Sequence, residues 1–215
     1  MAHDEVDRKR RKLLMAATVG VGGVGLGAAS IPFISSMNPS ARAWAAGAPV
    51  QVDMGKIAPG MQITVEWRRR PVWILHRTPQ MLERLQQPAL RRRLRDPDSD
   101  VASQQPDYVG GTLRAIKAEW FVVIGICTHF GCVPTFRPEV ASEELGPDWL
   151  GGYFCPCHGS KFDFAGRVYR NVPAPTNLVV PPYRYLSETV VEIGVDPAAK
   201  GVVGSGPDNS GLRRA

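Results

Sequence analysis

The chain has 215 residues, 19 prolines, 22 glycines and a formal net charge of +6. The length allows one good-sized domain with extras, and the Pro/Gly content argues against a helical bundle and for short strands joined by loops. The positive charge comes with arginine runs at Arg68-Arg69-Arg70 and Arg91-Arg92-Arg93 but with no interleaved aromatic stacking pattern, so solvated loop charge, or contact with acidic lipid or a partner protein, is favoured over nucleic-acid binding.

Residues 1–12, MAHDEVDRKRRK, are polar, and 13–34 form an apolar run of 22 residues without a charge. As a helix this run spans roughly 33 Å, the thickness of a bilayer core, and the basic cluster before it places the N-terminus in the cytoplasm. Arg10-Arg11 ahead of the mildly hydrophobic Gly/Ala-rich run resembles a twin-arginine export signal, a route for proteins already folded around a cofactor. Ala41-Arg42-Ala43 has the small-residue look of a cleavage site but lies several residues past the run, so retention as an anchor is expected. Gly20, Gly22 and Gly25 match G-x-G-x-x-G, but inside an apolar span rather than after a strand, so close helix packing is the better reading; Gly23 and Gly27 also fit G-x-x-x-G.

Residues 35–49 are rich in small residues and read as a flexible hinge linker to a head spanning 50–215. Strands are expected at 50–53, 62–67 and 71–76, with the first arginine run at a hairpin turn. Thr78-Pro79 reads as an N-cap and first helical residue of a helix through about Gln87. Pro88 and the Asp/Pro-rich stretch near 96–107 are expected to end the ordered part of this insert. A β-prone run at 118–127 delivers Cys127, and Gly-Gly-Tyr-Phe-Cys delivers Cys155. Later strands are expected at 166–170, 178–185 and 189–195, with a loose tail after Gly201. The whole reads as a mainly β, antiparallel head on a single N-terminal transmembrane helix.

All four cysteines and two of the four histidines fall between 127 and 158. His3 lies in the polar N-terminal stretch, and His76, at the end of an apolar run, reads as structural. Two strand-end loops carry matched sets: Cys127-Thr128-His129-Phe130-Gly131-Cys132 and Cys155-Pro156-Cys157-His158-Gly159-Ser160. Four chemistries compete. Plain disulfides suit an exported domain but leave two histidines unexplained. A nucleophilic Cys–His pair gives no reason for duplicated loops. Structural zinc takes four ligands, and neither loop has its usual spacing. A mixed Cys/His [2Fe–2S] centre, with one Cys and one His from each loop, accounts for more of the set.

The stretches C-T-H-x-G-C-V-P at 127–134 and C-P-C-H-G-S-x-F-D at 155–163 resemble the two cluster-binding boxes of Rieske iron–sulfur proteins. With the anchor, the chain is similar to the Rieske subunits of bacterial ubiquinol–cytochrome c reductases (cytochrome bc complexes). The resemblance implies a Rieske-type β-sandwich head with a small cluster-binding subdomain at about 121–182. It also implies Cys127 and Cys155 on one iron, His129 and His158 on the other, and a Cys132–Cys157 disulfide. Ser160 matches a serine that donates to a bridging sulfide. Phe162 stands where many members have a tyrosine that donates to a cysteine sulfur. Phe130 replaces the usual leucine beside the quinol-docking tip. Asn171-Val172-Pro173-Ala174-Pro175 resembles the proline loop over the cluster, with Val172 where glycine is common.

By the same resemblance, the expected activity is acceptance of an electron and a proton from ubiquinol, with His158 taking the hydrogen bond and His129 exposed beside it. The electron then passes to a c-type cytochrome subunit. The implied partners are a cytochrome b subunit and that cytochrome, in a dimeric, proton-translocating complex of the bacterial inner membrane, with the head in the periplasm. The alternative from a different class is an exported zinc or disulfide domain that scaffolds a membrane complex.

Overall fold

A computed structural model describes residues 7–38, 40 and 47–197. Residues 39 and 41–46 of the expected linker and the tail after Gly201 lie outside the described residues, as does His3; Ala41-Arg42-Ala43 falls within the first of these stretches. The chain divides into two compact units, Met1–Ala45 and Ala46–Ala215.

In the first unit a single helix, α1, runs over Arg8–Ser36. Asp7 caps it by accepting hydrogen bonds from the Lys9 and Arg10 amides at 2.9 and 3.2 Å, which satisfies two of the helix's free N–H groups. Thr18 and Ser30 hide their hydroxyls by donating to the Leu14 and Leu26 carbonyls, an economical way to carry polar groups in an apolar helix. No residue of α1 is buried within its own unit, and the helix is long and apolar enough to cross a membrane.

The second unit is built from three antiparallel three-stranded sheets. One has the order β2 (Gln62–Trp67), β3 (Arg70–His76), β4 (Trp120–Ile124); another joins β1 (Val50–Asp53), β9 (Val190–Ile193) and β8 (Tyr183–Tyr185). The register pairs Val65 with Val72, Val72 with Ile124, and Val50 with Ile193. All five residues of β4 are buried, as are Val72, Trp73, Ile74 and Leu75 of β3. Their continuous apolar runs fit strands covered on both faces. The Arg68-Arg69 pair makes the β2–β3 turn with φ of 51° and 60°, as a two-residue hairpin loop of matching twist requires. The third sheet, β5 (Thr135–Arg137), β6 (Gly152–Cys155) and β7 (Ser160–Phe162), carries the second cysteine loop. These sheets form the antiparallel, mainly β head expected of a Rieske-type fold.

The insert is more ordered than its composition suggests. Thr78 caps α2 (Pro79–Leu85) as expected, but Pro88 opens a further helix, α3 (Pro88–Arg93), rather than ending the order. Proline is accommodated at a first helical position, where its missing N–H costs nothing. Two short 3₁₀ turns follow at Ala102–Gln104 and Asp107–Val109. The insert then clamps onto the third sheet's side: Leu94 bridges Tyr169, and Arg95 N donates to Val168 O at 2.9 Å. Around this seam three arginines are buried. Arg114 donates to the carbonyls of Ala165, Gln104 and Leu178, and burial lowers its pKa to about 10. Two sequence expectations shrink. Residues 166–170 form only isolated bridges, and of 178–185 only Tyr183–Tyr185 is strand. His76 is held by Ile57 O at 2.7 Å and stacks on Trp120, a structural setting.

Candidate metal centre

The two loops are built by the same local device. Cys127 ends the segment after β4, and its carbonyl accepts from Gly131 N at 3.0 Å. Cys155 ends β6, and its carbonyl accepts from Gly159 N at 2.9 Å. Each glycine lies four residues after its cysteine with positive φ, 84° at Gly131 and 78° at Gly159, a conformation that favours glycine. The turn leaves each intervening histidine, His129 or His158, on the loop tip. The first loop also closes through Cys127 N to Cys132 O at 2.7 Å, and the second through the Cys155–Ser160 strand pair.

The loops meet. Cys132 and Cys157 are joined by a disulfide, which leaves Cys127 and Cys155 as the free cysteines, both buried. The Cys155 sulfur lies within 4.8 Å of both disulfide sulfurs. This trio is not a ligand set, because the two oxidised sulfurs have no thiolate to offer. Burial pushes the Cys127 thiol up, while hydrogen bonds from the backbone N–H of His129 and from the Ser160 hydroxyl act in the opposite direction. The neighbouring Cys155 also raises it, so two thiols share one enclosed site.

The rings of His129 and His158 approach edge to face with centroids 4.8 Å apart. Nδ1 of His129 is buried with no hydrogen-bond partner. A buried ring nitrogen left unpaired is costly, and a metal relieves that cost. Two buried free cysteines beside two converging imidazoles, one with an orphaned nitrogen, fit a mixed thiolate–imidazole cluster. His129 is less open than expected: it is half-buried, because the Phe130 ring lies 4.0 Å from it, whereas His158 is exposed. Phe130 itself is 78% exposed and stands 6.0 Å from His158, so the tip is apolar around the imidazoles.

The loop that follows covers the site. Ser160 Oγ, buried, accepts from Ala174 N at 3.0 Å, and Thr128 Oγ1 donates to Thr176 O at 2.7 Å. Both contacts tie 171–176 to the cysteine loops. The Thr128 contact was not anticipated from sequence; the only signal available was a hydroxyl inside the first box. Phe162 is fully buried, with no hydroxyl to offer.

This fold and paired-loop site define a Rieske [2Fe–2S] domain. The family model described as "Rieske [2Fe-2S] domain" matches residues 97–184, and that described as "Ubiquitinol-cytochrome C reductase Fe-S subunit TAT signal" matches residues 1–40. The chain is 55% identical over 196 residues to the ubiquinol-cytochrome c reductase iron-sulfur subunit of Allochromatium vinosum, covering 91% of this chain and 93% of that one. It is 42% identical to the subunit of the same name from Blastochloris viridis (91% and 98% covered) and 44% identical to that from Bradyrhizobium diazoefficiens (86% and 94%). The chain belongs to the family of ubiquinol–cytochrome c reductase iron–sulfur subunits.

Proposed function

We propose that the chain is the electron-transfer subunit that takes an electron and a proton from ubiquinol and hands the electron to a c-type cytochrome. Its proposed neighbours are that cytochrome and a cytochrome b subunit, in a dimeric complex. The observation that carries the reading is the convergence of two free buried cysteines and two touching imidazoles on loops tied by one disulfide. In this reading Cys127 and Cys155 hold one iron and His129 and His158 the other, and Cys132–Cys157 holds the loops in register. A [2Fe–2S] cluster with two neutral imidazole ligands supplies a one-electron acceptor of higher potential than an all-cysteine cluster.

The chain's own groups do the rest. His158, the exposed histidine, presents the imidazole nitrogen not used for iron to the quinol hydroxyl and receives its proton. The Phe130 ring, 4.0 Å from His129, keeps the other side of the tip apolar. Ser160, already bonded to Ala174 N, directs its hydroxyl at the sulfur side of the site.

For the membrane arrangement we propose a cytoplasmic segment at 1–12, a retained anchor at 13–34 and a tether at 35–49. The periplasmic head at 50–215 contains a cluster-binding subdomain at about 121–182 and is carried on the bacterial inner membrane. Tethering lets one head visit the quinol site and the cytochrome in turn.

The test is made on the full chain. Two irons per chain and a rhombic EPR signal after ascorbate reduction are expected, both lost in Cys127→Ala and His129→Ala. In the assembled complex, His158→Cys is expected to abolish quinol oxidation. A colourless protein carrying zinc, or normal turnover with His158→Cys, overturns the reading.

A further inference from the structure

Beside the second cysteine loop lies a cleft of about 500 Å³, between the C-terminal end of α3, β7 and the segment 169–172. Its lining includes Arg92, Arg93, Lys161 and Arg170, together with Tyr169 and Gly159, and no carboxylate. Four cations around one concavity repel each other, and nothing on the lining neutralises them.

Three of the four are nevertheless held in place. Lys161 Nζ donates to Leu145 O at 3.0 Å, Arg170 Nε to Leu94 O at 2.8 Å, and Arg93 Nη1 to Asp148 O. The Arg93 guanidinium also sits 5.3 Å over the Tyr169 ring. Every one of these fixings is to a neutral group, so the charges are positioned without being cancelled. Arg92 has no acidic partner among the described residues.

A second observation is independent of the charge. Tyr169 is only 4% exposed, and its hydroxyl is buried with no hydrogen-bond partner. A buried phenol O–H without an acceptor is unfavourable, and here it belongs to a side chain that lines the cationic cleft.

We propose that this cleft is a binding site for a phosphate-class oxyanion, held by Arg92, Arg93, Lys161 and Arg170 with the Tyr169 hydroxyl as a further donor. A multiply charged tetrahedral group matches several cations and offers the acceptor that Tyr169 lacks; a single carboxylate from a protein partner meets fewer of these demands. Because Gly159 is part of the lining, the bound group lies against the loop that carries Cys157 and His158. The site does not depend on the electron-transfer assignment.

The experiment uses the detergent-solubilised full chain with its cluster. Inorganic phosphate and glycerophosphoglycerol (the soluble fragment of an anionic lipid headgroup) are titrated at constant ionic strength, followed by calorimetry and ³¹P line broadening. Saturable one-to-one binding is expected. It should weaken by at least about tenfold in Arg92→Gln/Arg170→Gln and by roughly threefold to tenfold in Tyr169→Phe, as losing charge-assisted and single hydrogen bonds implies. An unchanged visible cluster spectrum certifies that each variant is folded. Tighter binding of glycerophosphoglycerol assigns the site to a lipid headgroup, and tighter binding of inorganic phosphate to the free ion; both support it. Absence of saturation, equal binding by the variants, or binding of an acidic peptide with none of either phosphate overturns the proposal.

Discussion

His129 and His158 meet edge to face, their ring planes at 88° and their centroids 4.8 Å apart. They come from two loops that share no strand: one follows β4, the other joins β6 to β7. Only the Cys132–Cys157 bond links those loops covalently at the tip. The imidazole pair therefore depends on a crosslink between residues that make no iron bond in the proposed ligand set.

The crosslink closes a segment with a sequence separation of 25. A loop of that size restricts the unfolded chain by about 3 kcal/mol in the chain-entropy picture. Cys132→Ala/Cys157→Ala is thus expected to lower the head's thermal midpoint by roughly 6–12 °C. Iron should be lost at a lower temperature than in the parent, because the two histidines are no longer held together. Calorimetry with parallel iron analysis checks both; an unchanged midpoint would show that the packing of 171–176 alone holds the loops.

Phe162→Tyr tests the tuning of the site. Phe162 is fully buried on β7, two residues after Ser160, where family members with tyrosine place a donor to a cysteine sulfur. A donor that stabilises the reduced state by about 1.4 kcal/mol raises a one-electron potential by about 59 mV. A rise of up to roughly that size is expected in a redox titration. An unchanged potential with a lower thermal midpoint would mean that the hydroxyl finds no sulfur and is merely buried.

Much of this site was legible in the sequence because its chemistry is local. Cys-x-His and Cys-x-Cys-His, each with a glycine four residues after the first cysteine, specify two copies of one turn, and 13–34 announces a membrane-length helix. The parts that were missed depend on distant partners. Strand β5 is only Thr135–Arg137 and exists because β6 pairs with it. Helix α3 hides behind Pro88, which reads equally as a stop or a start. The buried arginines look like surface charge until the carbonyls that receive them are known. The cationic cleft draws on residues near 92, 161 and 170, which no window along the chain brings together.

The Asp163–Arg167 pair locks the insert to the cluster-bearing sheet. The two side chains are 1% and 0% exposed and bond at 2.7 Å. Asp163 also accepts from the Ala165 and Arg167 amides, while Arg167 reaches Pro97 O and Leu85 O, each at 3.0 Å. Arg167→Leu leaves a buried carboxylate without its cation and should cost about 3–5 kcal/mol. Asp163→Asn/Arg167→Leu should cost less than the two single losses summed, since the stranded charge is gone. Denaturant unfolding of the four proteins in the cycle measures this, and strict additivity would show that the pair does not act as a unit.

Two glycines near the site separate steric clash from backbone strain. At Gly152, φ is +146° and a Cβ would lie 2.1 Å from Phe162 O and 2.9 Å from Asp163 Cα. Those are backbone atoms of the paired strand β7 and its continuation, so relief requires opening the β6–β7 ladder that positions Cys155 and Ser160. At Gly159, φ is +78°, yet a Cβ would meet nothing within 4 Å. Gly159→Ala should therefore cost only the left-handed penalty, about 1–2 kcal/mol. Gly152→Ala adds overpacking against immovable atoms and should cost about 3 kcal/mol or more. It should also lower iron content, because the sheet edge that ends at Cys155 is displaced. Urea unfolding and iron per chain decide between them. Equal losses for the two variants would mean that β6 and β7 separate easily, and that the cysteine loops, not the sheet beneath them, carry the geometry of the centre.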